Sequence, residues 1–436
     1  MGKQEKIRVS AGEDLLAFIP HIVGYWPENS VVCIGMGGKA LRATMRLDLP
    51  PSGNVDLDGF ARVAAVQLAS DLQADGCLIA LFAGEDWTEP DNFPLRDLHE
   101  ALQRAFAAEG LPVRDSWYVG SGHWRSVECS NPSCCPWPGR SNSTITGSFV
   151  NAEFVFRGSA VEENPRERIP KMTAVTDRAF AGKVEALRPA LADGLAGTAL
   201  AVNQAAVTLG AWERSLSHWP EHPDAGMSAF LAASLGNTSM RDAVMVSLAD
   251  TPELALAGLF DMGFLESATA RPVVPPNWFG GNQAEDYEVL LSGGRQGGVG
   301  GLSDPLDLDA CGAAATFSDI LLGGSAVGGG AAHPRAARPN WGRMDRAEEL
   351  LLFLAGSLQG PAKAPVLCLL GWIQWCRGRG TWAGTYFQAS QGCQPGYKLA
   401  YLLERLLDTG FVAAWAKDQR TAWPGYRRDE FEEEAA

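Results

Sequence analysis

Apolar residues recur along the first third of the chain with two different periods. Leu15, Leu16, Phe18 and Ile19 follow Ser10-Ala11-Gly12-Glu13. That is capping-box spacing, and it predicts a short helix that Pro20 kinks or ends. Val31 to Met36 is a continuous apolar run of strand length, preceded by the turn sequence Pro27-Glu28-Asn29-Ser30. Gly37-Gly38 fits a tight hairpin. Beyond it Leu41, Ala43, Met45, Leu47 and Leu49 alternate with Arg42, Thr44, Arg46 and Asp48, the period of a half-buried strand, until Pro50-Pro51. Helical periodicity then marks Leu57 to Leu72 and Leu95 to Ala108, and strand character marks Cys77 to Ala83, Val113 to Gly120 and His123 to Glu128. Residues 1–170 therefore read as an α/β domain with a mixed sheet and a cysteine-rich loop.

From about Thr176 the pattern turns Ala/Leu-rich and helical. Ala179 to Leu209, Ala211 to Leu216, Ala225 to Leu235 and Met240 to Leu248 make up a helical region over 171–271. Glycine pairs and triplets crowd residues 272–340, which read as an insertion or flexible loop, because glycine weakens helix and strand interiors alike. Helical hairpins return over 341–418, and an acidic tail occupies 419–436. The fold class is thus an α/β lobe with a mixed sheet, followed by an all-α lobe that a Gly-rich insertion interrupts. Leu370, Gly371, Ala383, Phe387 and Pro395 match the spacing of one tetratricopeptide-type hairpin, with Phe387 filling the gap left by small residues.

Charge and composition narrow the function class. The 36 Lys+Arg against 51 Asp+Glu leave −15, which disfavours a nucleic-acid partner. The polar start Met1-Gly2-Lys3-Gln4-Glu5-Lys6 lacks signal-peptide character. No apolar run has membrane-spanning length, so no membrane partner is expected. Nine cysteines, an odd number in a long chain, suit reduced thiols in the cytoplasm.

Four groups of residues carry candidate chemistry. His123, Cys129, Cys134 and Cys135 offer one nitrogen and three thiolates to a zinc ion, and a Pro-rich loop with little core would gain from such a staple. The Cys-x-x-Cys spacing is missing, and adjacent cysteines are expected to point apart. A redox pair, Cys134–Cys135 or Cys129 with one of them, and a plain turn with partly buried thiols stay open beside the metal. Arg42, Arg46 and Asp48 on the second strand could line an anion pocket, or face solvent. Glu85 and Asp86 follow a strand end, where α/β proteins place sites. Gly35-Met36-Gly37-Gly38-Lys39-Ala40 matches a dinucleotide fingerprint in letters, but a strand-like segment follows where the motif needs a helix, so a hairpin turn is favoured.

Several phrases together resemble one family. These are Asp14-Leu15-Leu16-Ala17, Val23-Gly24-Tyr25-Trp26-Pro27, Arg46-Leu47-Asp48-Leu49-Pro50, Gly122-His123-Trp124-Arg125-Ser126, and Cys129 with Cys134-Cys135-Pro136 and Gly139. Arg241-Asp242-Ala243, Leu370-Gly371-Trp372 and Pro395-Gly396-Tyr397 continue the series. The chain resembles the actinobacterial domain of unknown function numbered four-one-nine-two, over most of its length. The resemblance implies the architecture and an actinobacterial cell or its phage, and assigns no activity. The reading that results is a non-enzymatic interaction or regulatory protein with a protein partner on the helical lobe, supported by that hairpin and by 14 Trp. The alternative is a hydrolase or nucleotide-acting enzyme with a pocket at the strand ends of the α/β lobe.

Overall fold

The computed structural model describes residues 9, 11–51, 53, 55–197, 201–265, 271–276, 312–324, 338–417 and 420–425. The chain divides into two compact units, Met1–Arg168 and Ile169–Ala436.

In the first unit, helix α1 (Gly12–Val23) precedes the hairpin of β1 (Ser30–Gly37) and β2 (Ala40–Asp48). Then come α2 (Leu57–Ala69), β3 (Gly76–Phe82), α3 (Arg96–Ala108), β4 (Val113–Val119), β5 (His123–Ser126) and β6 (Arg140–Ser141). Short helices α4 (Ser143–Thr146) and α5 (Phe149–Phe156) follow, and α6 (Pro165–Met172) spans the boundary at Arg168. The strand order is β2-β1-β3-β4-β5-β6. Only β3 and β4 run parallel, joined through α3, and every other neighbouring pair is antiparallel. This is the mixed sheet that the hydrophobic pattern predicts.

The sheet is covered on both faces, which explains why β1 is apolar at successive positions. Val31 and Cys33 face one core with Ile79, Leu81 and the α3 residues Leu98, Leu102 and Phe106. Val32 and Ile34 face the other, with Phe82, Trp117, Leu16 and Ile19 of α1, and Ile145 and Val150. An irregularity in the β1–β2 register between Ile34 and Met36 breaks the alternation of β2. Met45, Leu47 and Leu49 pack on the first core, whereas Leu41 packs on the second. Gly38, at φ +59°, closes the hairpin, so the dinucleotide-like glycines form a turn between strands. Pro20 does not end α1; the helix runs through it to Val23 and stops at the left-handed Gly24.

The second unit is helical among its described residues. It contains α7 (Arg178–Ala196), α8 (Val202–Ser217), α9 (Ala225–Ser234), α10 (Thr238–Ala249), α11 (Pro252–Asp261), α12 (Ala313–Leu322), α13 (Trp341–Ala355), α14 (Ala364–Cys376), α15 (Gly380–Cys393) and α16 (Lys398–Asp408). Helix α12 lies within the stretch 272–340 that reads as an insertion or flexible loop, and it corrects the loop reading for Ala313–Leu322. It lies between Gly312 and Gly323, both left-handed, and buries Phe317 and Ile320. Local apolar spacing outweighed the glycine background there. Residues 277–311 and 325–337 of that stretch lie outside the described residues. The hairpin of α14 and α15 closes as expected: a Cβ on Gly371 would meet the Phe387 ring at 2.5 Å. Ser390, where the repeat pattern has alanine, donates its hydroxyl to the Ala364 carbonyl at 2.8 Å. Among the described residues, no helix is long and apolar enough to cross a membrane.

Candidate metal centre

Strand β6 returns alongside β5, pairing His123 with Ser141 and Trp124 with Arg140. The chain between them, residues 127–139, must therefore leave the sheet and come back. Gly139 makes the return possible. Its φ is +154°, and a Cβ there would lie 2.6 Å from the Trp124 carbonyl oxygen. At the outer end, Asn131 organises a turn. Its side-chain oxygen accepts the N–H of Ser133 at 2.9 Å, and its carbonyl accepts the N–H groups of Cys134 at 3.2 Å and Cys135 at 2.8 Å.

Two arginines tie the loop to the sheet. Arg125 donates to the Cys129 carbonyl at 3.3 Å, and its guanidinium lies 4.9 Å from the Trp87 ring and 4.8 Å from the Trp137 ring. Such stacking holds the cation and both rings in place. Arg140 donates to the Cys134 carbonyl at 3.0 Å and pairs with Glu13 at 3.3 Å.

The result brings three thiols together. The sulfur atoms of Cys129, Cys134 and Cys135 all lie within 4.8 Å of one another. Cys129 and Cys134 are 3.0 Å apart, and Cys134 and Cys135 are 3.8 Å apart. The expectation that adjacent cysteines diverge is thus corrected: the Asn131 turn aims both inward. The Cys134 hydrogen bond lowers the Cys129 thiol from its ordinary value, and the nearby Arg125 charge acts in the same direction. The same contact raises Cys134 to about 11.

The chemistry of this donor set suits a soft cation. Zinc–thiolate bonds of about 2.3 Å in a tetrahedron put sulfurs about 3.8 Å apart. The Cys134–Cys135 separation has that length already, and the Cys129–Cys134 contact would open by about 0.8 Å on metal binding. The three thiolates could together hold a metal ion.

His123 is not part of the cluster. Its Nδ1 donates to Asp86 at 3.1 Å, and Asp86 also accepts the N–H groups of Gly122 at 2.9 Å and His123 at 3.0 Å. Burial works to raise the Asp86 carboxyl, but these donors outweigh it and hold it below its ordinary value. Gly120 permits the contact, since a Cβ there would meet the Asp86 carboxylate at 2.3 Å. The pair stands where β3 and β4, the parallel strands, end. Glu85 is exposed and lends only its carbonyl, to the Tyr118 hydroxyl at 2.8 Å.

The β2 charges do not join this site. Arg42 makes two bonds to Asp71, at 2.6 and 2.7 Å. Arg46 is taken up by Ser30 at 2.8 Å and Asp48 at 2.7 Å, and Asp48 also receives Arg166 at 3.2 Å. Asp48 lies at the same end of the sheet as Asp86, but Arg42 lies toward the other end, beside the β1–β2 turn. The three residues expected to line an anion pocket are thus taken up locally, Arg42 by Asp71 and Arg46 by Ser30 and Asp48, and they stand apart from the strand-end pair Glu85 and Asp86. A cleft of about 340 Å³ lies instead beside Asp56, Asp58, Asp97, Glu100 and Arg104, and a cavity of about 240 Å³ in the second unit is lined by Leu195, Thr208, Ala233 and Met240.

Arg125, Asn131, Trp137 and Arg140 escaped sequence reasoning as parts of the site. The cue was present in Gly122-His123-Trp124-Arg125-Ser126 and in the proline-flanked Trp137, but nothing local says that an arginine is clasped by two tryptophans.

Comparison with known families places this loop in a wider context. The family described as Domain of unknown function (DUF4192) matches residues 13–259 and 336–413. The chain belongs to the DUF4192 family. Both the cysteine loop and the Asp86–His123 pair of this DUF4192 chain lie inside the first matched segment, and the match passes over the glycine-rich stretch. No curated protein and no solved structure matches the chain.

Proposed function

We propose that this DUF4192 protein is a cytoplasmic interaction or regulatory protein whose recognition loop is stapled by one zinc ion on Cys129, Cys134 and Cys135. The observation that carries the reading is the convergence of three sulfur atoms within 4.8 Å at the tip of a loop with almost no core of its own. A loop of that kind gains its order from bonds rather than from burial, and metal binding supplies them. Trp137, about 40 % exposed and backed by the Arg125 stack, is the residue it presents. Aromatic side chains held rigid at a surface are efficient contacts for protein partners.

Metal analysis of protein purified under reducing conditions tests this. About one zinc per chain is expected, and Cys134→Ser should lose it. Metal-free protein whose thiols all react at once would overturn the reading.

A second reading rests on the Asp86–His123 pair at the carboxyl ends of β3 and β4. A carboxylate that orients an imidazole is a general-base arrangement. Under that reading the cysteine loop walls an active site, and His123→Gln abolishes turnover without altering metal content.

A further inference from the structure

Helix α1 and helix α5 are held together by a chain of polar groups whose members lie far apart in sequence. The Asn151 side-chain amide donates to the Thr146 carbonyl at 2.7 Å, so its oxygen is left facing α1. That oxygen lies 2.9 Å from Nε2 of His21, which must therefore carry the ring proton. In the neutral imidazole the other ring nitrogen, Nδ1, is then the acceptor, and it lies 3.0 Å from the Ser159 hydroxyl. The imidazole is fixed in plane by Phe154, stacked at 4.7 Å and 10°.

These contacts meet the geometric requirements of an activated nucleophile. A hydroxyl faces a base, and a third group sets the tautomer of the base. The N–H of Ala160, the residue after Ser159, is exposed and has no acceptor among the described residues, so it is free to bind a ligand oxygen. Ile22, Val155, Phe156 and Val161 flank the three residues in sequence and are exposed.

We propose that Ser159, His21 and Asn151 form a nucleophilic site that acts on esters with apolar acyl groups. Ser159 Oγ bonds to the ester carbonyl carbon while its proton passes to His21 Nδ1. The ester C–O bond then breaks, and the departing alkoxide takes that proton. Water, giving its proton to the same nitrogen, attacks the Ser159 ester, and collapse releases the acid and returns the hydroxyl. Ser159 and His21 are the catalytic residues; Asn151 is a positioning residue. The site shares no residue with the cysteine loop, so its failure would leave the metal reading untouched.

The test uses the full chain and an alkyl phosphonofluoridate, which forms an Oγ–P bond as fluoride leaves. Peptide mapping should find the adduct on Ser159. His21→Phe, which keeps a ring on Phe154, should slow labelling roughly a hundredfold. Asn151→Asp retains an acceptor for Nε2 and should label, whereas Asn151→Leu should slow labelling, by no more than His21→Phe does. Hydrolysis of p-nitrophenyl butyrate should fall to the buffer rate in Ser159→Ala, with the circular dichroism spectrum unchanged. Folded wild-type protein left unlabelled at Ser159, or ester hydrolysis that persists in Ser159→Ala, overturns the proposal. Should His21→Phe fail to fold, those two results decide it alone.

Discussion

Asp86 gathers three donors on one carboxylate, the N–H groups of Gly122 and His123 and the His123 ring. Each of these bonds is stronger to a charged oxygen than to a neutral one. The carboxyl is therefore held below its ordinary value in the folded chain. A depressed acid stabilises the fold at every pH above its unfolded value of about 3.9, and that stabilisation is lost as pH falls through the folded value. Asp86→Asn should thus cost about 1–2 kcal/mol at neutral pH, since two backbone donors lose a charged acceptor. Urea titrations at several pH values should show the difference shrinking to nothing well below about pH 3.9. A gap that stays constant down to acid would mean that Asp86 acts by shape alone.

Elements were legible in the sequence where their faces are uniform. The β1–β2 hairpin, α2, β3, α3 and β4 follow from local pattern, because α2 and α3 each bury one side while β1 and β3 bury both. What escaped depends on contacts between distant residues. Helix α12 is hidden by its glycine-rich surroundings, and its register is set by α11, where a Cβ on Gly258 would meet Phe317 at 2.6 Å. At the candidate site the three cysteines were legible as a group, but His123 was not separable from them, since its partner Asp86 is 37 positions away. The α14–α15 crossing was legible because its two halves have complementary sizes. Gly371→Ala places a methyl 2.5 Å from the Phe387 ring. Overpacking of this kind costs about 1–3 kcal/mol. Phe387→Leu in the same chain should recover part of that loss, and a double-mutant cycle in urea would measure the coupling. Additive losses would show that the two helices do not meet through this pair.

Each unit of the whole molecule has its own core, and the three thiols belong to the first one. A ligand that binds only the folded state raises stability by mass action, and it does so for the unit that contains its site. In the first unit the loop also carries its effect into the sheet: Arg125 and Arg140 each join a cysteine carbonyl to residues of β5 and β6, and Arg140 goes on to Glu13 of α1. Removing a metal from the thiols should therefore loosen β5, β6 and the start of α1, and leave α7–α16 as they are. Calorimetry with and without a strong chelator should show one unfolding transition moving down while a second keeps its midpoint. Hydrogen exchange should locate the change, with faster exchange at Trp124 and Arg125 and unaltered rates in α14. If chelation moves neither transition, the loop is held by its arginine and tryptophan contacts alone. If it moves both together, the two units unfold as one cooperative body, and the staple acts on the entire chain.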